Sequence, residues 1–194
     1  MNIEMKLNYD FFNRDVLKVA PELVGKTLVH VVNGEERRLM ITETEAYKGT
    51  DDTACHAHKG KTERTKILWE KAGTVYVYIC YGIHFLMNIV TGDEGDPQAV
   101  LIRACEGKYN GPGKLTKHLG INMDANWQSI VNSDTIWIED TGIKAKIRRD
   151  KRVGIGYARQ KDIDRPWRYI MKMKPEKPAS YQRHSVFGKN TKKG

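Results

Sequence analysis

The stretch TLVHVVNGEERRLMITETEAY, residues 27–47, decides how this chain folds. Residues 27–32 are mainly β-branched and apolar, as is typical of a strand, and residues 38–47 contain a second strand-like run. Asn33-Gly34 lies between them. This dipeptide is the strongest short-range signal for a tight hairpin, because both of its residues accept a positive φ. We therefore predict an antiparallel hairpin that starts a β-sheet.

Outward from this hairpin, predicted strands outnumber predicted helices. The further strands lie at residues 74–79, 85–90, 98–105, 135–139 and 144–149, the last two as a late hairpin around Thr141-Gly142. Asp15 is a candidate N-cap for a helix that ends near Gly25, and a second helix is predicted at residues 114–119. Residues 48–65 are predicted to form a long loop, and long loops in compact domains are usually functional or disordered.

This pattern indicates an α+β fold, a single domain on a curved, mainly antiparallel β-sheet with flanking helices. We assign residues 8–172 to this domain and residues 173–194 to a basic C-terminal segment that is partly mobile. Strands and helices do not alternate, and no glycine-rich phosphate motif is present. A nucleotide cofactor is therefore not supported.

The charge of the chain favours a polyanionic partner. Lys and Arg number 33 against 24 Asp and Glu, which gives a net charge of +9. Such a balance fits nucleic acid or an acidic membrane surface. Three unpaired cysteines are typical of a reducing compartment. With no signal peptide and no apolar run of about 20 residues, we expect no membrane association and a place in the cytoplasm with the nucleoid, or in a nucleus.

The first candidate for chemistry is Glu43-Thr44-Glu45-Ala46-Tyr47. Alternate residues of a regular strand share a face, so Glu43, Glu45 and Tyr47 are expected on one side. A carboxylate beside an aromatic ring, just before a long loop, suits a base that activates water next to a planar substrate. The alternative is a solvent-exposed edge strand whose acidic residues prevent further pairing.

Two further candidates are Cys55-His56-Ala57-His58 and the tyrosines at positions 76, 78 and 81. Three local ligands are fewer than the four of a structural zinc site, so we interpret His56 as a hydrogen-bonding and stacking group. Tyr81 precedes a glycine at a turn, where a rigid aromatic can act as a wedge between base pairs. The alternative is that these tyrosines are ordinary residues of a sheet.

Two polar residues interrupt apolar strands. The amide of Asn88 must be satisfied by the backbone or by a ligand, because an unpaired buried amide costs about 1–3 kcal/mol. Arg103, within Val100-Leu101-Ile102-Arg103-Ala104, implies an anionic partner, either a carboxylate or a phosphate.

Taken together, these residues form an ordered series of motifs over residues 11–169. The blocks are Glu43-Thr44-Glu45-Ala46-Tyr47, Ala54-Cys55-His56, Tyr76-Val77-Tyr78 with Tyr81-Gly82, Met87-Asn88-Ile89, Leu101-Ile102-Arg103-Ala104, Gly111-Pro112-Gly113-Lys114-Leu115 and Arg152-Val153-Gly154-Ile155-Gly156. In these blocks the sequence resembles the alkyladenine DNA glycosylases, the 3-methyladenine DNA glycosylase family. Several ordered blocks are far more specific than any single motif.

The resemblance implies a base-excision repair enzyme that flips a damaged purine out of double-stranded DNA and hydrolyses its N-glycosidic bond, leaving an abasic site. The substrates it implies are 3-methyladenine and 7-methylguanine, with hypoxanthine and ethenoadenine as further candidates. Glu45 then corresponds to the general base that activates water, and Arg103 to a partner of that water and carboxylate. The resemblance implies no cofactor and no metal, and we expect a monomer.

The resemblance also implies roles for the remaining candidates. Tyr47 and His56 correspond to walls that sandwich the flipped base, and Tyr78 corresponds to a further wall of that pocket. Tyr81 corresponds to the residue that enters the minor groove and fills the space that the nucleotide leaves. Asn88 corresponds to the group that excludes the 2-amino group of guanine.

Two other function classes compete with this one. A non-catalytic nucleic-acid-binding module would keep the basic surface and Tyr81 but would have no use for Glu45. A metal-dependent hydrolase would use His56, His58 and Glu45 as ligands or base, and chelation would inactivate it.

Overall fold

The hairpin of residues 27–48 forms as predicted in the structure, a computed structural model that describes residues 5–172. Strand β2 (Thr27–Val32) pairs antiparallel with β3 (Glu35–Lys48), and Val32 stands opposite Glu35. Asn33 and Gly34 take φ values of 53° and 81°. These are the left-handed conformations that a two-residue hairpin turn requires.

The other elements follow in chain order. Strand β1 (Met5–Lys6), helix α1 (Tyr9–Phe12) and helix α2 (Val16–Leu23) precede the hairpin. After it come two 3-10 turns, His56–Lys59 and Lys66–Trp69, then β4 (Val75–Cys80), β5 (His84–Val90), β6 (Gln98–Cys105), α3 (Pro112–Leu119), a 3-10 turn at Met123–Ala125, β7 (Ile136–Asp140), β8 (Ile147–Asp150), α4 (Gln160–Ile163) and β9 (Arg168–Met171).

The nine strands of the described residues build one open, antiparallel sheet. Its order is β1-β7-β2-β3-β6-β5-β4, and β9 pairs with both β3 and β8. Four helices lie beside the sheet within the same part of the chain. The predicted class, a single α+β domain on a mainly antiparallel sheet with flanking helices, is confirmed.

Strand β3 connects the two parts of this sheet. Its first half pairs with β2, and its second half pairs with β6 and, at residues 43–45, also with β9. The register against β6 shifts twice between Ile41 and Thr44. Such irregularities bend a strand and re-aim its side chains. Because residues 43–45 have a partner strand on each side, the alternative of an exposed edge strand is wrong for Glu45.

Helix α2 covers the sheet next to β3. The Asp15 carboxylate accepts a hydrogen bond from the backbone N–H of Leu17 at 2.8 Å, which confirms Asp15 as the N-cap. Four apolar side chains on one face of the helix are buried: Val16, Val19, Ala20 and Leu23. Helix α3 begins at Pro112, two residues before the predicted start, because proline is well suited to the first turn of a helix.

The predicted late hairpin is wrong. Strand β7 pairs with β1 and β2, and β8 pairs with β9, so Thr141-Gly142 does not join two paired strands. The apolar run at Ile136–Ile138 is buried between two strands from the start of the chain, which outweighs the local turn signal. The predicted mobile segment, residues 173–194, lies outside the described residues. No helix within residues 5–172 is long and apolar enough to span a membrane.

Candidate active site

The carboxylate of Glu45 is fully buried and is held from three directions. The Tyr47 hydroxyl donates to Oε2 at 2.7 Å, and the backbone N–H of Val153 donates to Oε1 at 2.9 Å. The Nε atom of Arg103 lies 3.3 Å from Oε1. This last contact is an ion pair rather than a directed hydrogen bond, since Nε has no hydrogen-bond partner within the described residues.

Burial raises the pKa of Glu45 above its ordinary value. The hydrogen bonds from Val153 and Tyr47 and the charge of Arg103 oppose this rise, while the nearby Glu43 adds to it. Burial and the Glu45 charge raise the pKa of Tyr47 well above its ordinary value, so its hydroxyl stays protonated and acts as a donor. Glu45 is therefore a carboxylate with a preserved affinity for a proton, as a general base needs.

The predicted shared face of Glu43 and Glu45 is present despite the irregular strand. Arg103 Nε lies 3.6 Å from Glu43 Oε1 as well as near Glu45. Arg168 on β9 donates to the same Glu43 oxygen at 3.1 Å. Arg103 thus has carboxylate partners within the protein, the first of the two kinds of partner that its position implied.

An aromatic cavity adjoins this carboxylate. Four of the predicted site residues, Tyr47, His56, Tyr78 and Asn88, line it. The rings of His56 and Tyr78 meet edge to face with centroids 4.7 Å apart. The cavity encloses about 30 Å³, which is far less than a purine ring needs. In this arrangement the rings leave little room for a planar molecule between them.

His56 is neutral in this cavity. Its Nδ1 lies 2.9 Å from the hydroxyl of Tyr76, with which it shares a hydrogen bond. Burial, with the positive charges of Arg64 and Lys59, lowers the pKa of His56 from its ordinary 6.5 to about 4. At neutral pH the ring therefore presents no positive charge to a bound molecule.

Asn88 is buried in β5 opposite Tyr76 and lines the cavity. Its Nδ2 donates to the backbone carbonyl of Tyr76 at 3.2 Å. The sequence left two uses open for this amide, satisfaction by the backbone or contact with a ligand. The backbone bond fixes the side chain at a wall of the cavity, where the amide also borders any bound molecule.

Tyr81 stands at the tip of the β4–β5 hairpin, whose strands carry Tyr76, Tyr78 and Asn88. It is 91% exposed and takes a positive φ of 51°, followed by Gly82 at 72°. Ile83 beside it is 73% exposed. An apolar tip is therefore presented to solvent at one end of the hairpin whose strands wall the cavity.

With this geometry in place, comparison with known proteins assigns the chain to a family. The family model described as “Methylpurine-DNA glycosylase (MPG)” matches residues 10–108 and 106–175. The chain belongs to the methylpurine-DNA glycosylase family. The resemblance found in the sequence is thereby confirmed.

The alignments with curated relatives cover most of this chain and most of each relative. A protein of Rickettsia felis named “Putative 3-methyladenine DNA glycosylase” is 42% identical over 177 residues, which cover 88% of this chain and 96% of the relative. Proteins with the same name from Desulfitobacterium hafniense and Borrelia garinii are 39% and 40% identical and cover 86% and 84% of this chain. Those two alignments span 95% and 94% of the relatives.

A second, wider cavity of about 670 Å³ adjoins the aromatic one in this methylpurine-DNA glycosylase family member. The two share Cys55, His56 and Tyr157 as lining residues. Basic side chains line the wider cavity: His58, Lys59, Arg64 and Arg159. The approach to the aromatic cavity on this side is therefore positively charged.

Cys55, His56 and His58, the local candidates for metal ligands, do not converge on one point. Cys55 is buried, and burial raises the pKa of its thiol to about 12. His56 contacts Tyr76, and His58 Nδ1 contacts the Thr50 carbonyl at 2.7 Å. Within residues 5–172 no group of three or more His, Cys, Asp or Glu side chains is arranged to hold a metal ion.

Sequence reasoning missed several residues of this site. Val153 acts through its backbone N–H, which residue type does not reveal, although the block 152–156 was part of the family resemblance. Tyr157 lines both cavities and donates to the Ala54 carbonyl at 3.0 Å. Arg152 forms a buried ion pair with Asp52, 100 residues earlier in the chain. A separation of this size gives no local signal.

Proposed function

We propose that this chain is a monofunctional DNA glycosylase that flips a damaged purine out of duplex DNA and hydrolyses its N-glycosidic bond with a water activated by Glu45. The observation that carries the proposal is the hydrogen bond from the Tyr47 hydroxyl to the Glu45 carboxylate. The Tyr47 ring lines the aromatic cavity while its hydroxyl holds the buried carboxylate at 2.7 Å. Only the Tyr47 side chain therefore separates a base in the cavity from a proton acceptor, the Glu45 carboxylate.

The cavity favours an electron-poor purine. Purines alkylated at N3 or N7 are cationic, and a cation is attracted to the faces of tyrosine rings such as Tyr47 and Tyr78. Neutral His56 adds a stacking surface without charge repulsion. Stacking contributes roughly 1–3 kcal/mol per base, which offsets the energy of opening the cavity and of flipping.

Tyr81 supports the flipped state from outside the cavity. A base inside a duplex cannot be reached, so it must leave the stack. An exposed aromatic side chain at a hairpin tip can occupy the space left behind and keep the base from returning. The basic side chains around the wider cavity supply positive charge for the DNA backbone.

Asn88 supplies selectivity against normal guanine. Guanine differs from hypoxanthine by its 2-amino group, which needs both space and a hydrogen-bond acceptor. The Asn88 amide is held in place by its hydrogen bond to the Tyr76 carbonyl, so a 2-amino group directed at this wall meets a side chain that cannot move aside. By this argument 3-methyladenine, hypoxanthine and ethenoadenine, which lack a 2-amino group, are the bases that test this selectivity. 7-Methylguanine keeps that group and depends on its positive charge for excision.

In the chemical step, the oxygen of water forms a bond to C1′ of the sugar and the C1′–N9 bond breaks. The electron pair of that bond leaves with the base, and the proton of the water goes to Glu45. A cationic purine becomes neutral as it departs, so it needs no acid. The Glu45 carboxylate also stabilises the positive charge that develops on the sugar. The product is an abasic site.

Direct hydrolysis is favoured over an amine nucleophile. None of the residues that line the aromatic cavity in the described part of the chain is a lysine. The proton acceptor beside the cavity is instead the Tyr47–Glu45 pair, which has no amine to form a Schiff base. We therefore assign the enzyme a water nucleophile and no lyase step.

The test is Glu45→Gln, which preserves shape but removes the base. We expect the single-turnover release of 7-methylguanine from duplex DNA to fall by about 10²- to 10⁴-fold. Binding to the damaged duplex should change little. Glu43→Gln is the matched control, since Glu43 contacts the same Arg103, and it should retain a much larger share of the rate. A Glu45→Gln variant with the wild-type rate would refute the assignment.

The pH dependence follows from the raised pKa of Glu45. Glu45 must be ionised to act as the general base, so the wild-type rate rises with pH as Glu45 loses its proton. Because the pKa of Glu45 is raised, this rise is centred at a higher pH than the pKa of an ordinary glutamate. The rise should be absent from the residual rate of Glu45→Gln. Single-turnover rates between pH 4 and pH 9 provide this measurement.

A further inference from the structure

The ion pair between Arg152 and Asp52 lies behind the proposed catalytic carboxylate. Both side chains are completely buried, and the pair is bidentate, with Nη1 2.6 Å from Oδ2 and Nη2 2.8 Å from Oδ1. The same two nitrogens donate to the carbonyls of Ala46 at 2.9 Å and Asp162 at 3.1 Å. Bidentate pairs of this kind fix geometry as well as charge.

This pair joins three segments that supply the site. Ala46 lies on β3 between Glu45 and Tyr47. Asp52 lies in the loop that leads from β3 to His56. Asp162 belongs to α4 and also holds that loop, because its carboxylate accepts hydrogen bonds from the N–H and the hydroxyl of Thr53 at 3.1 and 2.6 Å.

Two contacts of the Arg152 residue reach the site itself. The guanidinium centre lies 4.8 Å from the centroid of the Tyr47 ring, which lines the aromatic cavity. The next residue, Val153, donates its N–H to Glu45 Oε1. Because that N–H belongs to the peptide unit joining Arg152 to Val153, its place depends on where Arg152 is anchored.

We propose that Arg152 is a positioning residue of the hydrolytic site, which acts through its buried ion pair with Asp52 to hold the Val153 amide on Glu45 and the Tyr47 ring in the cavity wall. The inference rests on the proposed role of Glu45. It assigns to Arg152 and Asp52 a function in setting the proton affinity of the base, in addition to any contribution to folding.

The expected direction follows from the charges and dipoles around Glu45. Those that lie nearby are Glu43, Tyr47, Tyr78, Arg103, Arg152, the Val153 N–H and Tyr157. The Val153 hydrogen bond is the largest influence that opposes burial. When it lengthens, the ionised form loses a donor, and the pKa of Glu45 rises further. The rate then rises at a higher pH than in the wild type.

The experiment uses Arg152→Lys, which retains the positive charge but loses the bidentate geometry. Single-turnover release of 7-methylguanine is measured against pH in the full chain. We expect the midpoint of the pH profile to move up by about half a unit to one unit, and the rate at neutral pH to fall on the order of tenfold.

The control variant is Lys151→Met. Lys151 precedes Arg152 and forms an ion pair with Asp164, but both side chains are half exposed. Breaking this surface pair should leave the midpoint of the pH profile unchanged. A change in Arg152→Lys that is shared by Lys151→Met would therefore assign the effect to the segment rather than to the buried pair and would overturn the proposal.

A second readout does not depend on catalysis. The titration of the Glu45 carboxyl carbon is followed by NMR in the folded free protein, for the wild type and for Arg152→Lys. An upward shift of its midpoint supports the positioning role even if Glu45→Gln shows that Glu45 is not the base. Folded variants that lose thermal stability but keep both midpoints would show that the ion pair acts on the fold alone.

Discussion

Two turns in this protein share a backbone feature but have different reasons for it. Asn33-Gly34 joins β2 to β3, and Tyr81-Gly82 begins the turn between β4 and β5. In each, a non-glycine residue with φ near 50° is followed by a left-handed glycine. Asparagine tolerates this conformation, whereas tyrosine is disfavoured there by roughly 1–2 kcal/mol.

The difference separates a residue that suits its own turn from one that does not. Asn33 adopts the positive φ of its turn at little cost, and its hairpin was predictable from turn chemistry. Tyr81 strains its turn and also exposes 91% of its surface to water. Neither feature stabilises the free protein, and this is the reason for proposing that the aromatic tip contacts a partner. Under the proposed function, that partner is the DNA duplex.

The largest effect is expected for Tyr81→Asn. Without the aromatic tip, the space left by a flipped nucleotide is not filled, so the base returns to the stack. We expect excision of a well-paired lesion to slow by about 5- to 150-fold, the equivalent of about 1–3 kcal/mol of stacking. Excision from a bulge should slow much less in the same single-turnover assay. Equal losses on both substrates would assign Tyr81 to the fold instead.

A second measurement asks whether the strands of the Tyr81 hairpin also serve the substrate. Asn88→Ser removes the fixed amide that we propose faces the 2-amino group of guanine, while leaving a small polar side chain. We expect the ratio of guanine release from a G·T mismatch to hypoxanthine release to rise on the order of tenfold, within the 1–3 kcal/mol scale of an unpaired polar group at about 25 °C. Release of alkyladenine should change less. An unchanged ratio would leave Asn88 as a structural amide.

The smallest effects come from exchanging the turn residues. Asn33→Tyr introduces the strain of the second turn into the first and should lower the free energy of unfolding by roughly 1–2 kcal/mol, with no change in excision rate. Tyr81→Asn should raise it by about 1 kcal/mol, because the strain is relieved. Chemical denaturation of both variants and the wild type tests the pair. A destabilised Tyr81→Asn would mean that the tyrosine packs favourably in the free protein.

How much could be predicted from the sequence depends on the distance over which each signal acts. The β2–β3 hairpin and the strand Gln98–Cys105 were predictable, since turn chemistry and apolar runs are local. The late hairpin around Thr141-Gly142 was wrong, since β7 and β8 take partners from other parts of the chain.

The site divides in the same way. The resemblance identified Glu45, Tyr47 and their neighbours, and the structure shows how they touch, but their catalytic roles remain predictions. The contribution of Val153 could not be predicted, since it is a backbone N–H that reaches a residue 108 positions earlier. Residue types describe side chains, and this donor belongs to the main chain.

The narrowness of the aromatic cavity bears on how such a protein would search a genome. Under the proposed function, a slot of about 30 Å³ has to widen before it accepts a base, so an undamaged nucleotide that flips briefly finds no stacking partner ready. Apparent affinity for any flipped base is reduced by the fraction of time the slot is open. Undamaged sites then retain the protein only through its charge, and residence on them stays short. Time is spent mainly where a base is weakly paired enough to stay out until the slot opens.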